Sequence, residues 1–365
     1  MAAATNKIQV PDYQSRLVAI SKHVEGVVEG AKLQVMDGEI PAIPVVSSGS
    51  LSLDRALGVG GYPLGRIVEV FGPYSSGKTT LTLHAIASAM KAGGLAAFID
   101  AEHALDLNYA ESLGVDVKKM LFAQPDYGEQ ALSIVDHILD NGMFKSGDII
   151  VVDSVAALTP KSIIEGEMDK VTMGQQGAMM SKAMSKLKGK VSNAGVLLYF
   201  TNQIRDNMTQ YGPATDTPGG HALKFYSSVR VETKRIGTTK AMVHGEEVSV
   251  SNQVQIKVVK NKVAPPFTQC QVTIRFGEGI SKYDEILDIG EKFNVITKSG
   301  AYYKYCGANV GQGKEAAMRN LKADPKLTDE IYKLICQRTQ TGEMDPLPAK
   351  TVIFTKPVVA TAEEA

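Results

Sequence analysis

The sequence predicts an α/β fold with a mostly parallel central sheet flanked by helices. Three observations lead there. Between about residues 45 and 280, short apolar β-rich runs alternate with helical segments. A Gly-rich stretch at 72–79 stands between one such run and one such segment. Two further runs close on an aspartate, at Asp100 and Asp153. Strand–helix alternation of this kind implies right-handed crossovers and parallel strands covered on both faces. Open sheets of that type bind ligands at the carboxyl ends of their strands.

Taken in chain order, Asp12 to Ala31 reads as an amphipathic helix, because Leu17, Ile20, Val24, Val27, Val28 and Ala31 recur at helical spacing. Such a face packs either on the chain's own core or on a neighbouring subunit. A Pro-containing linker, Gly38 to Pro44, follows. Arg66 to Phe71 reads as a strand, Ser76 to Lys91 as a helix and Leu95 to Ile99 as a strand. The pattern repeats with the helix Gln130 to Leu139 and the strand Ile149 to Val152. It repeats again with the helix Gly177 to Val191 and the strand Val196 to Thr201. The strand leading into Asp100 follows the 76–91 helix directly, so it is expected beside the 66–71 strand or one position removed. Val248 to Val259 and Gln271 to Phe276 read as antiparallel additions.

Beyond Gly279 the pattern shifts to short helices and small turns. The expected organisation is an N-terminal helix and linker at 1–44, a core at 45–280, a small C-terminal α/β lobe at 281–340 and a disordered tail at 341–365. No internal repeat is visible.

Composition narrows the function classes. A chain of 365 residues with 44% hydrophobic and 21% charged residues can fill a substantial core. Its apolar stretches are too short and interrupted to cross a bilayer, and residues 1–10 carry no secretion signal pattern. Cys270, Cys306 and Cys336 are widely spaced and form no Cys-x-x-Cys pair. They read as reduced thiols in a cytoplasmic protein, with no zinc site. The formal net charge is +0, so composition does not point to nucleic acid. Any such site must be local or built on backbone amides.

The chemistry concentrates at Gly72-Pro73-Tyr74-Ser75-Ser76-Gly77-Lys78-Thr79, which matches the phosphate-binding P-loop at every position. Glycines let backbone amides wrap an anion, and the following helix aims its positive end at it. Lys78 is expected to reach the outer phosphates of ATP, with the Thr79 hydroxyl on Mg²⁺. The alternative is a Gly-rich turn arising by chance, in roughly a few per cent of chains of this length. The run Ile149 to Asp153 fits the second half of the motif, with Asp153 orienting Mg²⁺ or its water shell. Glu102, just past the strand ending at Asp100, either faces the terminal phosphate and polarises water or is a solvated loop carboxylate.

Several of these stretches resemble the RecA family of recombinases. They are Gly72 to Thr80, Phe98 to Asp106, Val151 to Leu158, Thr201 to Arg205, Ala222 to Tyr226 and Val258 to Lys262, in order along most of the chain. The resemblance implies a P-loop NTPase core and a recombinase that uses ATP to polymerise on single-stranded DNA and pair it with homologous double-stranded DNA. It implies that Glu102 is the catalytic glutamate and that Asp106 and Tyr109 lie on the adenine side. Gln203 is implied to be the γ-phosphate sensor. Lys260 and Lys262 are implied to reach across a homo-oligomeric filament interface to the neighbour's nucleotide. The nucleotide site would comprise Gly72, Pro73, Ser75, Ser76, Gly77, Lys78, Thr79 and Thr80. Two polar segments, Glu165 to Gly174 and Arg205 to Gly220, resemble the family's DNA loops. There Met173 and Met208 match apolar wedges, and Gly174, Arg205, Gly219 and Gly220 match DNA contacts.

The sequence departs from the family at Ala178 and Ser185, where arginines are usual, with Lys182 and Lys186 on nearby helix positions as substitutes. In the C-terminal lobe Lys292, Lys298, Lys304 and Lys314 are candidates for gathering duplex DNA, and the family's acidic tail is mostly missing. Two rival readings keep the P-loop: a ring helicase or repair accessory protein, and a degenerate NTPase acting as a scaffold. Lys78, Thr79, Glu102 and Asp153 are all present, which argues against the second.

Overall fold

A computed structural model of the chain describes residues 12–31, 33, 35, 42–166, 174–206, 215–243, 246–342, 344, 345 and 347. The chain divides into two compact units, Met1–Ala42 and Ile43–Ala365. The first contains the helix Tyr13–Val27, started by Asp12, whose carboxylate accepts from the amides of Gln14 and Ser15. No residue of this helix is buried. Its apolar residues Ile20 and Val27 are exposed.

The second unit is organised by a nine-stranded sheet. Its spatial order is Gly279–Ile280, Gln269–Arg275, Glu246–Asn261, Val229–Val243, Ile67–Gly72, Leu197–Gln203, Ile149–Asp153, Ala96–Asp100, Met120–Ala123. From Val229–Val243 to Met120–Ala123 neighbouring strands are parallel, and the remaining pairs on the other side are antiparallel. Alternation along the strands sends residues to two apolar layers. Ile149 and Val151 join Phe98, Tyr199 and the helix Lys78–Lys91 on one face. Ile150 and Val152 join Phe200 and the helices Gly128–Asp140 and Gln175–Ala194 on the other. Both faces are therefore dry, which is why these strands read as unbroken apolar runs.

The strand Ala96–Asp100 is not beside the Ile67–Gly72 strand or one removed; two strands, Leu197–Gln203 and Ile149–Asp153, lie between them. A helix about 10–12 Å across covers about two strand spacings of about 4.8 Å, and the turns at its ends add further reach. Chain order therefore does not dictate the landing position. The helix also begins at Lys78 rather than Ser76, because Gly77 sits in the left-handed region at φ 87°. The strands Met120–Ala123 and Val229–Val243 were not anticipated, nor was the helix Leu51–Leu57.

The C-terminal lobe pairs a three-stranded antiparallel sheet, Ile296–Ser299, Tyr302–Tyr305 and Ala308–Gln312, with the helices Lys282–Lys292, Lys314–Ala323 and Pro325–Thr341. It has its own apolar cluster around Ile286, Phe293, Tyr305, Leu321 and Ile331. The lobe is tied to the core by Glu285. This buried carboxylate accepts from Ser50 Oγ at 2.5 Å and from the amides of Leu51 and Ser52 at 3.1 Å each, closing the start of the Leu51–Leu57 helix.

Candidate nucleotide and DNA site

The Ile67–Gly72 strand delivers the chain into the phosphate loop at the carboxyl edge of the sheet. Space there is tight. A Cβ on Gly72 would lie 2.3 Å from the Thr233 carbonyl oxygen, and one on Gly77 2.4 Å from Ile274 Cδ1. Ser75 also takes a positive φ, 54°. Ser76 Oγ donates to the Pro73 carbonyl at 2.8 Å and lies 2.8 Å from Thr233 Oγ1, which fixes the loop from beneath. Lys78 Nζ donates to the carbonyls of Gly72 at 3.1 Å and Pro73 at 2.8 Å. Burial lowers its pKa, opposed by the charges of Asp153 and Glu102.

Three strand ends converge beside this loop. Thr79 Oγ1 donates to Asp153 Oδ2 at 3.3 Å, and Thr201 Oγ1 donates to the other carboxylate oxygen. Burial first, and then the charge of Glu102, push the Asp153 carboxyl up to about 6. Glu102 is reached by two donors: the Ser154 hydroxyl, and Gln203 Nε2 at 2.8 Å. Its loop is held by the amides of Ala101 and Glu102, which donate to the Asp153 carbonyl. It is also held by buried Asp100, which accepts from the Ala104 and Leu105 amides and from Gln124. Lys78, Thr79, Glu102, Asp153 and Gln203 thus form one cluster. An ammonium and a helix start suit a polyanion, and a hydroxyl beside a carboxylate suits a hard divalent cation.

The flank of the cluster is built by Thr80 and Tyr109, whose hydroxyls lie 2.9 Å apart. Asp106 caps the Leu107–Ser112 helix that carries Tyr109, accepting from the amides of Asn108 and Tyr109.

Lys260 and Lys262 stand apart. Lys260 Nζ donates to the carbonyls of Lys224 at 2.6 Å and Phe225 at 3.0 Å, and Lys262 Nζ donates to Phe225 at 3.4 Å. Burial lowers the Lys260 pKa, and Lys262 and Arg230 lower it further. On the sheet Lys260 pairs with Arg230, which is level with Glu69, three residues short of the loop. Within one chain the two lysines do not join the Lys78 cluster.

The two polar segments approach one another at their bases. Gly174 precedes the Gln175–Ala194 helix with φ 82°. A Cβ on Gly220 (φ 70°) would come 3.2 Å from the Gly177 Cα. Gly219 has φ 89°, and its Cβ would meet Val155 at 2.8 Å. Arg205 pairs through its backbone with Asp216. Met173 and Met208 lie outside the described residues. On the Gln175–Ala194 helix, Lys186 is engaged by Asp136 at 2.5 Å. In the lobe, Lys314 is held by Asp284 at 3.1 Å and Asp288 at 2.8 Å. Neither cation is a free phosphate contact in this arrangement.

A model of the RecA N-terminal domain matches residues 16–281, and one of the RecA C-terminal domain matches residues 284–340. The chain belongs to the RecA family. It is 51% identical over 318 residues to Protein RecA of Oceanobacillus iheyensis, covering 87% of this chain and 90% of that protein. It is 51% identical over 315 residues to Protein RecA of Macrococcus caseolyticus, covering 86% and 87%. It is 50% identical over 315 residues to Protein RecA of Rubrobacter xylanophilus, covering 86% and 90%. As a RecA-family protein it is a DNA-dependent ATPase and a recombinase of DNA repair and recombination, in a family that binds nucleotide, acts on DNA and forms filaments. No helix among the described residues is long and apolar enough to cross a membrane.

Reading the motifs of this RecA-family chain missed four residues that hold the cluster. Ser154 and Thr201 bracket Asp153 and Glu102, Asp100 anchors the Glu102 loop, and Thr233 backs the phosphate loop. Ser154 follows the Asp153 strand directly and was visible as a neighbour. Thr201 stood in a family-like stretch but with no role attached, and Thr233 gave no signal, because only the strand order brings them to the site.

Proposed function

We propose that this chain binds ATP with Mg²⁺ at the Lys78 cluster and assembles on single-stranded DNA as a filament whose adjoining protomers share each nucleotide. The filament then pairs its strand with homologous double-stranded DNA, and the work is done in the cytoplasm. The observation that carries the proposal is the split placement of charge. Glu102, Gln203, Thr79 and Asp153 gather around Lys78, whereas Lys260 and Lys262 lie elsewhere in the same chain.

Bound Mg²⁺ would neutralise phosphate charge and align the terminal phosphoryl group. Thr79 and Asp153 would hold it. Lys78 and the loop amides of residues 74–80 hold the phosphates. Asp106 and Tyr109 border the base. Glu102 accepts the proton of the attacking water, and Gln203 both orients Glu102 and leads into the second DNA segment. A change in that segment can therefore reach the base through one hydrogen bond. Lys260 and Lys262 complete the site from the neighbouring protomer, supplying cations only after assembly. The uncovered apolar face of the Tyr13–Val27 helix is a docking element for that assembly, and 1–44, 45–280, 281–340 and 341–365 are its working divisions. Met173, Gly174, Arg205, Met208, Gly219 and Gly220 are the DNA contacts. Amides at the two adjacent glycines bind phosphate without a basic surplus.

The test is strand exchange between a single-stranded circle and homologous linear duplex, with negative-stain microscopy of the same mixtures. Helical filaments and ATP-dependent exchange are expected; closed rings, or exchange indifferent to ATP, overturn the reading. Lys260→Ala should leave nucleotide affinity within about twofold while lowering DNA-stimulated phosphate release by about 10²-fold. Unchanged stimulated turnover removes the shared-site claim.

Asp153 sets a pH limit. Its carboxyl titrates near 6, raised by burial, so its charge is present above that pH and lost as pH falls through it. Cation binding needs the carboxylate. The apparent affinity of the free chain for Mg²⁺–nucleotide should therefore fall between pH 7 and pH 5, by up to about tenfold per unit below 6. Binding titrations check this, and Asp153→Asn should flatten the dependence.

A further inference from the structure

The phosphate-loop helix is hydrogen-bonded to the short sheet strand, Gly279–Ile280, that leads into the C-terminal lobe. His84 lies six residues beyond Lys78 on that helix. Its Nε2 accepts from the Ile280 amide at 2.9 Å, immediately before Ser281, whose hydroxyl caps the first lobe helix, Lys282–Lys292. The approach is close enough to demand glycine next door. Gly279 has φ 76°, and a Cβ on it would lie 2.4 Å from His84 Nε2 and 2.5 Å from Leu113 Cδ2. His84 is largely buried and its pKa falls to about 4 for that reason. The ring is therefore neutral at physiological pH, with Nδ1 carrying the proton and Nε2 a standing acceptor.

Ile280 packs in the same apolar cluster as Leu81, Leu83 and Ile86 of the helix, but beyond it the first lobe helix is set apart from the phosphate-loop helix. A cavity of about 680 Å³ opens there, lined by His84, Ser88 and Lys91 of the helix and by Lys282, Ile286 and Tyr332 of the lobe. Close-packed contacts resist small displacements, so a shift of the helix is passed to Ile280 through this bond, while the cavity leaves the lobe helix beyond it room to move. On the far side of the gap Glu285 fastens the same lobe helix to the start of the Leu51–Leu57 helix. Arg275 of the core sheet also holds Asp284 and Glu315 of the lobe at 3.1 Å each, so the lobe is anchored on one side while its lead-in strand is bonded to the nucleotide-binding helix on the other.

We infer that His84 is a positioning residue that couples nucleotide at the Lys78 loop to the placement of the C-terminal lobe, through its bond to the Ile280 amide at the edge of this cavity. The inference rests on the reading of Lys78–Thr79 as the nucleotide site. Anything that moves the start of the helix is carried along its rigid length to His84, and from there to the strand that leads into the lobe.

Hydrogen exchange on the full chain, with and without a slowly hydrolysed ATP analogue and Mg²⁺, tests the coupling, with nucleotide affinity measured on the same samples. In the wild-type chain, exchange at Ile280 and in 281–292 should change on nucleotide binding. His84→Leu keeps apolar bulk but removes the acceptor. It should exchange the Ile280 amide about fivefold faster without nucleotide, bind nucleotide within twofold of wild type, and lose the nucleotide-dependent change. His84→Gln, which restores an acceptor, should recover it. The coupling is overturned if wild-type exchange in this segment ignores bound nucleotide, or if His84→Leu keeps the wild-type response. Failure of the wild-type chain to bind nucleotide at all would instead sink the Lys78 reading, and the coupling with it.

Discussion

Glu102→Gln should bind nucleotide and DNA with near-normal affinity yet hydrolyse at least about a hundredfold more slowly, leaving long-lived filaments. The substitution keeps size and hydrogen-bonding shape. The amide oxygen can still accept from Ser154 and from Gln203, the two donors that hold the carboxylate. What is lost is the capacity to take a proton and a negative charge near Asp153. Removing that charge also removes one of the influences raising the Asp153 carboxyl, after burial. The Asp153 pKa should therefore shift down and cation binding should hold or improve. Single-turnover phosphate release, paired with filament lifetimes by microscopy, separates the two effects. Turnover at the wild-type rate would show that another group activates water.

The second large effect is expected from Lys78→Ala, which should abolish DNA-stimulated phosphate release to within background, a loss of about 10³-fold or more. Lys78 is the one cation in the cluster of Glu102, Asp153, Thr79 and Gln203, and burial already disfavours its charge. It therefore has a strong drive to meet an anion. Truncation leaves the carbonyls of Gly72 and Pro73 without their donor, so nucleotide affinity should fall as well. The fold should persist, because the loop is held independently through Ser76 and Thr233. Circular dichroism and filter binding distinguish a dead site from an unfolded one. Residual stimulated hydrolysis in a folded variant would move the phosphate-binding role away from this residue.

Much of the architecture could be read from local pattern. The parallel strands were visible because burial on both faces makes them continuous apolar runs, as at Ile149–Asp153. The phosphate loop was visible because its spacing is demanded by backbone geometry at Gly72 and Gly77. The strand Val229–Val243 was missed although it carried a signal. Val229, Val231 and Thr233 are buried and alternate with Arg230, Glu232 and Lys234, a period of two that its many charges obscured. The short edge strand Met120–Ala123 had too few residues, one of them buried, to show any period.

Identity and spacing along the chain settle what kind of chemistry is available: a phosphate loop, carboxylates at strand ends, and glycines where amides must be exposed. These are local demands of covalent geometry, so they survive in a linear string. Which groups meet is a different matter. Thr201 reaches Asp153, Gln203 reaches Glu102 and His84 reaches Ile280 because of strand order and helix placement. That order depends on how a crossover helix spans the sheet and where buried surface can be closed. No window of neighbouring residues contains it, since the partners lie 48, 101 and 196 positions apart.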